Sequence, residues 1–118
     1  MEKFVEKTYL YDFYGELLNP HQQRIYEEVV FEDYSISEVA RDEGISRQGV
    51  HDLIKRCQAA LEEYESRLHL VERFLKIRTQ VKEILALTEA SEEDFRPEET
   101  KKSLEKISAL ASAIVEEL

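Results

Sequence analysis

Residues 35–61 read SISEVARDEGISRQGVHDLIKRCQAAL, and this stretch decides the fold. The pattern predicts a helix-turn-helix. A first helix is expected over about Ser37–Glu43, a turn at Gly44-Ile45-Ser46, and a second helix from Arg47 well past Lys55. Ser35 and Glu38 form an S-x-x-E capping box, in which each side chain satisfies a backbone N–H of the other residue. Ser46 stands where the second helix needs a capping hydroxyl. Gly44 supplies the left-handed conformation that ends the first helix at little cost. Val39, Ala40, Ile45, Val50 and Leu53 are the apolar residues expected to lock the two helices together, and Ala40 is small enough for a close crossing. Two ordinary helices joined by a short turn would share most of this packing.

The second helix divides into two faces. Val50, Leu53 or Ile54, Cys57, Leu61 and Tyr64 make an inner stripe, on which Cys57 acts as a small buried hydrophobe. Ser46, Arg47, Gln48, His51, Lys55 and Arg56 are the candidate nucleic-acid-binding residues, placed where a helix entering a groove carries its contacts. Arg47 suits guanine and Gln48 adenine through paired hydrogen bonds. Lys55 and Arg56 suit phosphates. Asp52 on the same face opposes a phosphate, and a merely solvated helix face has a similar composition. Gly49 inside a helix costs roughly 1 kcal/mol relative to alanine. It permits a close approach of backbone to a ligand or to the other helix, or is incidental.

Charge limits the nucleic-acid reading. The 118 residues carry a formal net charge of -10, whereas a general DNA binder is usually basic. Residues 35–61 hold 4 acids and 4 bases and are neutral. Both flanks are acidic, with 8 acids against 3 bases before the motif and 14 against 9 after it. Only 3 Gly and 2 Pro punctuate a chain that is 36% charged and 42% hydrophobic, which predicts an all-α fold with solvated helix faces. No apolar run reaches membrane-spanning length, and the N-terminal residues mix charge with aromatics unlike a signal peptide. One cysteine supports neither a disulfide framework nor a thiolate metal site. A cytoplasmic location is expected.

Ahead of the motif, a helix over residues 2–14 carries Leu10, Phe13 and Tyr14 with Leu17 beyond it, and stops at Gly15. The aromatics read as core rather than as a platform for bases. Asn19-Pro20 starts a second helix, expected over Pro20–Asp33, with Ile25, Tyr26, Val29 and Val30 on one face and Arg24 among the polar residues. Behind the motif, a break is expected near Leu68-His69. Leu70, Phe74, Ile77, Val81 and Ile84 then form a heptad seam, residues 88–97 an acidic connector, and Leu104, Ile107, Ala111, Ile114 and Leu118 a seam on a last helix from Pro97. Two such helices suggest an antiparallel hairpin. The expected domains are 1–66, containing the motif, and 67–118, a C-terminal extension for homo-oligomerisation or docking; a simple intramolecular pair is the alternative.

No catalytic constellation, metal site or cofactor motif is recognised. His21, His51 and His69 are scattered, and three isolated glycines make no phosphate loop. An enzyme is not expected.

Leu18-Asn19-Pro20, Phe31–Ile36, Ala40, Gly44–Val50, Lys55-Arg56 and Leu61–Glu65 together resemble region 4 of bacterial sigma factors, and more closely the small YlxM family. The resemblance covers roughly residues 1–87, leaving the last helix outside. It implies a sigma region 4-like helix-turn-helix bundle. It also implies a part in the signal recognition particle (SRP) pathway, because YlxM-family genes typically lie beside those of the SRP GTPase and its receptor. The implied partners are the SRP RNA, the SRP GTPases, or both. A sigma-like DNA-binding regulator and a pure protein-interaction module are the alternatives.

Overall fold

A computed structural model describes residues 2–93 and 96–118, the side chains of residues 92 and 93 excepted. The fold is all-α. Six helices follow one another: α1 (Lys3–Tyr14), α2 (Pro20–Tyr26), α3 (Ile36–Glu43), α4 (Arg47–Leu68), α5 (Leu70–Glu93) and α6 (Pro97–Glu117). The chain divides into two compact units, Met1–Val71 and Glu72–Leu118.

In the first unit α4 is the spine, and α1, α2 and α3 each pack against it. Local chemistry sets the helix ends. Asn19 caps α2 by accepting from Gln22 N (2.8 Å), while the Gln22 amide oxygen accepts from Asn19 N (3.1 Å), with Pro20 at the first helical position. The reciprocal capping box expected at Ser35/Glu38 is only half formed. Ser35 Oγ accepts from Glu38 N at 3.1 Å, but the exposed Glu38 side chain makes no return bond. The second predicted helix also differs from expectation. Its α-helical part ends at Tyr26, and a wider π turn carries the chain through Glu27–Phe31, with Glu32 N bonded to Glu27 O (2.9 Å). That turn brings Phe31 against Tyr11 and Tyr26, at ring separations of 5.3 and 5.8 Å. Tyr11, Tyr14 and Tyr26 are therefore core, as expected, whereas Phe13 and Leu17 of the expected stripe are exposed, as is Phe4.

α1 stops where predicted, although Gly15 is not left-handed (φ -57). A β-carbon there would lie 2.8 Å from Tyr11 Cε2. The Tyr11 ring cannot readily move, because it stacks on Tyr26 (5.4 Å) and donates to Glu27 Oε1 (2.5 Å). Gly15→Ala is therefore expected to lower stability by about 1–3 kcal/mol despite alanine's better helix propensity, read as a reduced urea midpoint.

Three phenols lie in this layer, and burial pushes all three above their ordinary value: Tyr26 up to about 12, with Tyr11 and Tyr14 also raised. The folded chain thus holds these protons more tightly than the unfolded one. Their contribution is intact below about pH 10 and is lost as the pH climbs towards the folded values. The urea midpoint should fall as the pH rises from about 10 to about 11.5, and the fall should be shallower in Tyr11→Phe.

Tyr14 also holds the end of α4 and the first residues of α5. α4 ends on His69 in the left-handed conformation (φ 56), at the break expected from the sequence. Tyr14 Oη donates to Glu65 Oε1 (2.5 Å) and accepts from Leu70 N (3.1 Å), and Glu65 Oε1 accepts from Val71 N (3.0 Å). The first N–H groups of α5 are thus satisfied by tertiary partners instead of a local cap.

In the second unit α5 and α6 form an antiparallel hairpin, tied by Lys76 Nζ to Glu117 Oε2 (3.0 Å). Two expectations are corrected here. The connector expected over 88–97 is helical as far as Glu93. Thr88 and Ser91 bond back to Leu85 O and Leu87 O, so their hydroxyls do not compete with the helix. Residues 94 and 95 of that connector lie outside the described residues. The seam is also turned from the expected one. Ile77, Gln80, Ile84 and Leu87 of α5 and Ser103, Ile107, Leu110 and Ile114 of α6 are among the half-buried positions, while Phe74, Val81, Leu104, Ala111 and Leu118 are exposed. Each helix carries two adjacent apolar stripes. Several of the exposed positions directly follow a seam position, as Val81 follows Gln80 and Leu104 follows Ser103, and one residue is a step of about 100°.

Candidate nucleic-acid interface

The helix-turn-helix is held by one tight cluster. Ile25 of α2, Val39 and Ala40 of α3 and Val50 of α4 are buried, with Val29, Ile36, Ile45, Leu53 and Ile54 packed around them. Every apolar residue assigned to the motif from sequence belongs to it. Between the helices Gly44 adopts φ 68 in open space, and Ile45 N reaches back to Ala40 O (3.0 Å). A side chain at Gly44 would meet strain from the backbone, not from a neighbour.

Ser46 begins α4, and its Oγ accepts from Gly49 N at 2.9 Å. This hydroxyl, counted among the candidate contacts, is engaged as a cap. A β-carbon at Gly49 would come to 3.1 Å of the same oxygen, so glycine there keeps space around the cap.

Beyond the cap, Arg47, Gln48, His51 and Lys55 share one exposed face of α4, at helical spacing. Arg56 is exposed too, but it lies about 100° round from Lys55, so the structure does not bring it onto that face. Gln48 Nε2 donates to Asp52 Oδ1 (3.0 Å), which engages both polar groups of the pair. The side chains of Arg47, His51, Lys55 and Arg56 have no hydrogen-bond or ion-pair partner among the described residues. Some other cations do, as Arg67 pairs with Glu63 at 2.6 Å and Arg96 with Glu99 at 3.6 Å, while Lys82, Lys101 and Lys102 are like those of α4. What sets Arg47 and Lys55 apart is that they share one face at the start of the second helix of the motif.

Sequence reasoning missed one positioning contact. Arg24 of α2 makes two bonds to Glu43, at 2.7 and 2.8 Å, and His21 Nε2 lies 3.4 Å from the same carboxylate. The Arg24 guanidinium holds the Glu43 carboxyl below its ordinary range. This clamp fixes the end of α3, immediately before the turn that aims α4. The partners are 19 residues apart, so neither periodicity nor local spacing could reveal them.

Residues 1–106 match the model of the UPF0122 family, described as helix-turn-helix proteins of YlxM / p13-like type. The chain belongs to this family. A UPF0122 protein of Acetivibrio thermocellus is 38% identical over 116 residues, covering 98% of this chain and 99% of its own length. One from Thermoanaerobacter sp. (strain X514) is 40% identical over 106 residues, 90% of this chain and 91% of its own. A shorter match, 46% identical over 76 residues, links it to a UPF0122 protein of Geobacillus sp. (strain WCH70), covering 64% of this chain and 69% of that one. The similarity within UPF0122 thus extends past residue 87 and into α6. Among the described residues no helix is long and apolar enough to cross a membrane.

Proposed function

We propose that this UPF0122 member is a cytoplasmic regulatory protein of the SRP targeting pathway, not an enzyme, that binds the structured RNA of the particle through α4. The observation that carries the binding half is the exposed face of Arg47, His51 and Lys55, whose side chains have no partner among the described residues. Unpaired cations at the start of a helix suit phosphate and groove contacts. The pathway half, with the SRP GTPases as further partners, rests on the resemblance to YlxM proteins. RNA is preferred to duplex DNA on the family resemblance; the net charge of -10 opposes a broad electrostatic footprint on either polyanion. Reading of a specific DNA duplex is the second proposal, favoured by Arg47 and Gln48 occupying the base-reading positions of a recognition helix. We also infer a homo-oligomer, because the hairpin leaves an apolar face open.

The test is a titration of the whole chain against the particle RNA, duplex DNA and the isolated GTPases, at about 50 and about 200 mM salt. RNA binding that weakens steeply with salt is expected. Binding to the GTPases alone, with no salt slope and no effect of Arg47→Ala, removes the nucleic-acid role. Tight binding to a single duplex sequence replaces RNA with DNA.

A further inference from the structure

We propose that the outer face of the α5–α6 hairpin is covered by the same face of a second copy of this chain, with α5 running antiparallel to its counterpart. Val81 (41% exposed) and Leu85 (54%) form the outer stripe of α5, and Leu104 (60%) and Val115 (71%) that of α6. Each of these residues directly follows a seam position, so on both helices the outer stripe is rotated from the seam in the same sense, by about 100°. Because the helices are antiparallel, equal rotations carry both stripes to the same side. The hairpin therefore presents one apolar face two helices wide, the shape of one layer of a four-helix bundle.

The hairpin also has too little core of its own. Among the described residues α6 has no buried side chain. Two shielded oxygens, Gln80 Oε1 and Thr100 Oγ1, lack hydrogen-bond partners. A face as long as the 24-residue α5 measures about 36 Å, and at two helix widths offers roughly 700 Å² per copy. Twice that area reaches the class of stable, specific interfaces.

Charge selects the occupant. Residues 70–82 of α5 carry Arg73, Lys76, Arg78 and Lys82 against Glu72, and residues 83–93 carry Glu83, Glu89, Glu92 and Glu93 with no base. This order runs against the helix macrodipole, which favours acids at the start and bases at the end, so it does not serve the isolated helix. Across the hairpin Glu117 pairs with Lys76. An antiparallel copy of α5 sets the basic half against the acidic half twice over, as a two-fold interface requires. A partner of uniform charge would match one half and oppose the other.

This inference rests on the homo-oligomeric reading and not on what α4 binds. Sedimentation of the whole chain over the micromolar range should give twice the 13.9 kDa chain mass. Leu85→Glu and Val81→Glu each replace an exposed side chain and should raise the dissociation constant at least about tenfold. Lys82→Glu and Glu89→Lys should each weaken the dimer, and the double exchange should restore it, with far-UV dichroism unchanged throughout. A monomer at every concentration overturns both the homo-oligomer and this interface. An oligomer indifferent to all four substitutions keeps the first and overturns the second.

Discussion

Tyr26→Ala should be among the most damaging single truncations in the first unit, costing about 3–5 kcal/mol. The side chain is fully buried, stacks on Tyr11 at 5.4 Å, meets the edge of Phe31 at 5.8 Å and donates to Gln58 Oε1 at 2.6 Å. Removing the ring opens a cavity at the junction of α1, α2 and α4, and leaves the Gln58 amide oxygen without that donor. Tyr26→Phe keeps the ring and loses only the hydroxyl, so its cost should be about 1–3 kcal/mol. Urea unfolding of both variants separates packing from hydrogen bonding. Equal costs would show that the hydroxyl, not the ring, holds the layer together.

The second large effect concerns binding. Arg47→Ala combined with Lys55→Ala should weaken RNA affinity by about a hundredfold at low salt and reduce the salt slope by about 1, for the phosphate contact of Lys55. Both side chains are exposed, and neither has a partner among the described residues. The stability of the chain should therefore stay within about 0.5 kcal/mol of the parent. Arg24→Ala is the control of opposite character. It breaks the fork to Glu43, so it should change stability and the aim of α4 together. An unchanged salt slope in the double variant would move the contact surface away from the start of α4.

Motif geometry was legible because it is local. Ser46, Gly44 and Asn19 act within three or four residues of themselves, and each end they mark appears where the sequence places it. The inner stripe of α4 was legible for the same reason, since periodicity along one helix reports one buried face. What could not be read depends on distance or on choice between near equals. Arg24–Glu43 and Tyr14–Glu65 join residues 19 and 51 apart. The hairpin seam was misread because Gln80 and Ser103, both polar, lie on it, while the more hydrophobic Val81 and Leu104 lie outside. The capping box was misplaced because Asn19/Gln22 and Ser35/Glu38 carry similar signals, and only the first pair closes both bonds. On α4 the spacing placed Arg47, Gln48, His51 and Lys55 on one face, where the structure also has them, but it could not show that Asp52 accepts from Gln48.

Encounter rates carry the mark of the chain's acidity. A body of formal charge -10 repels a polyanion from most approaches, and one small basic face on α4 offers a productive one. On the proposed reading, association is slow at low ionic strength. It quickens as salt screens repulsion beyond about 10 Å near 0.1 M, even while the complex, once formed, lives for a shorter time. Most collisions then end without a dwell, and the chain lingers where a ligand meets α4 head-on.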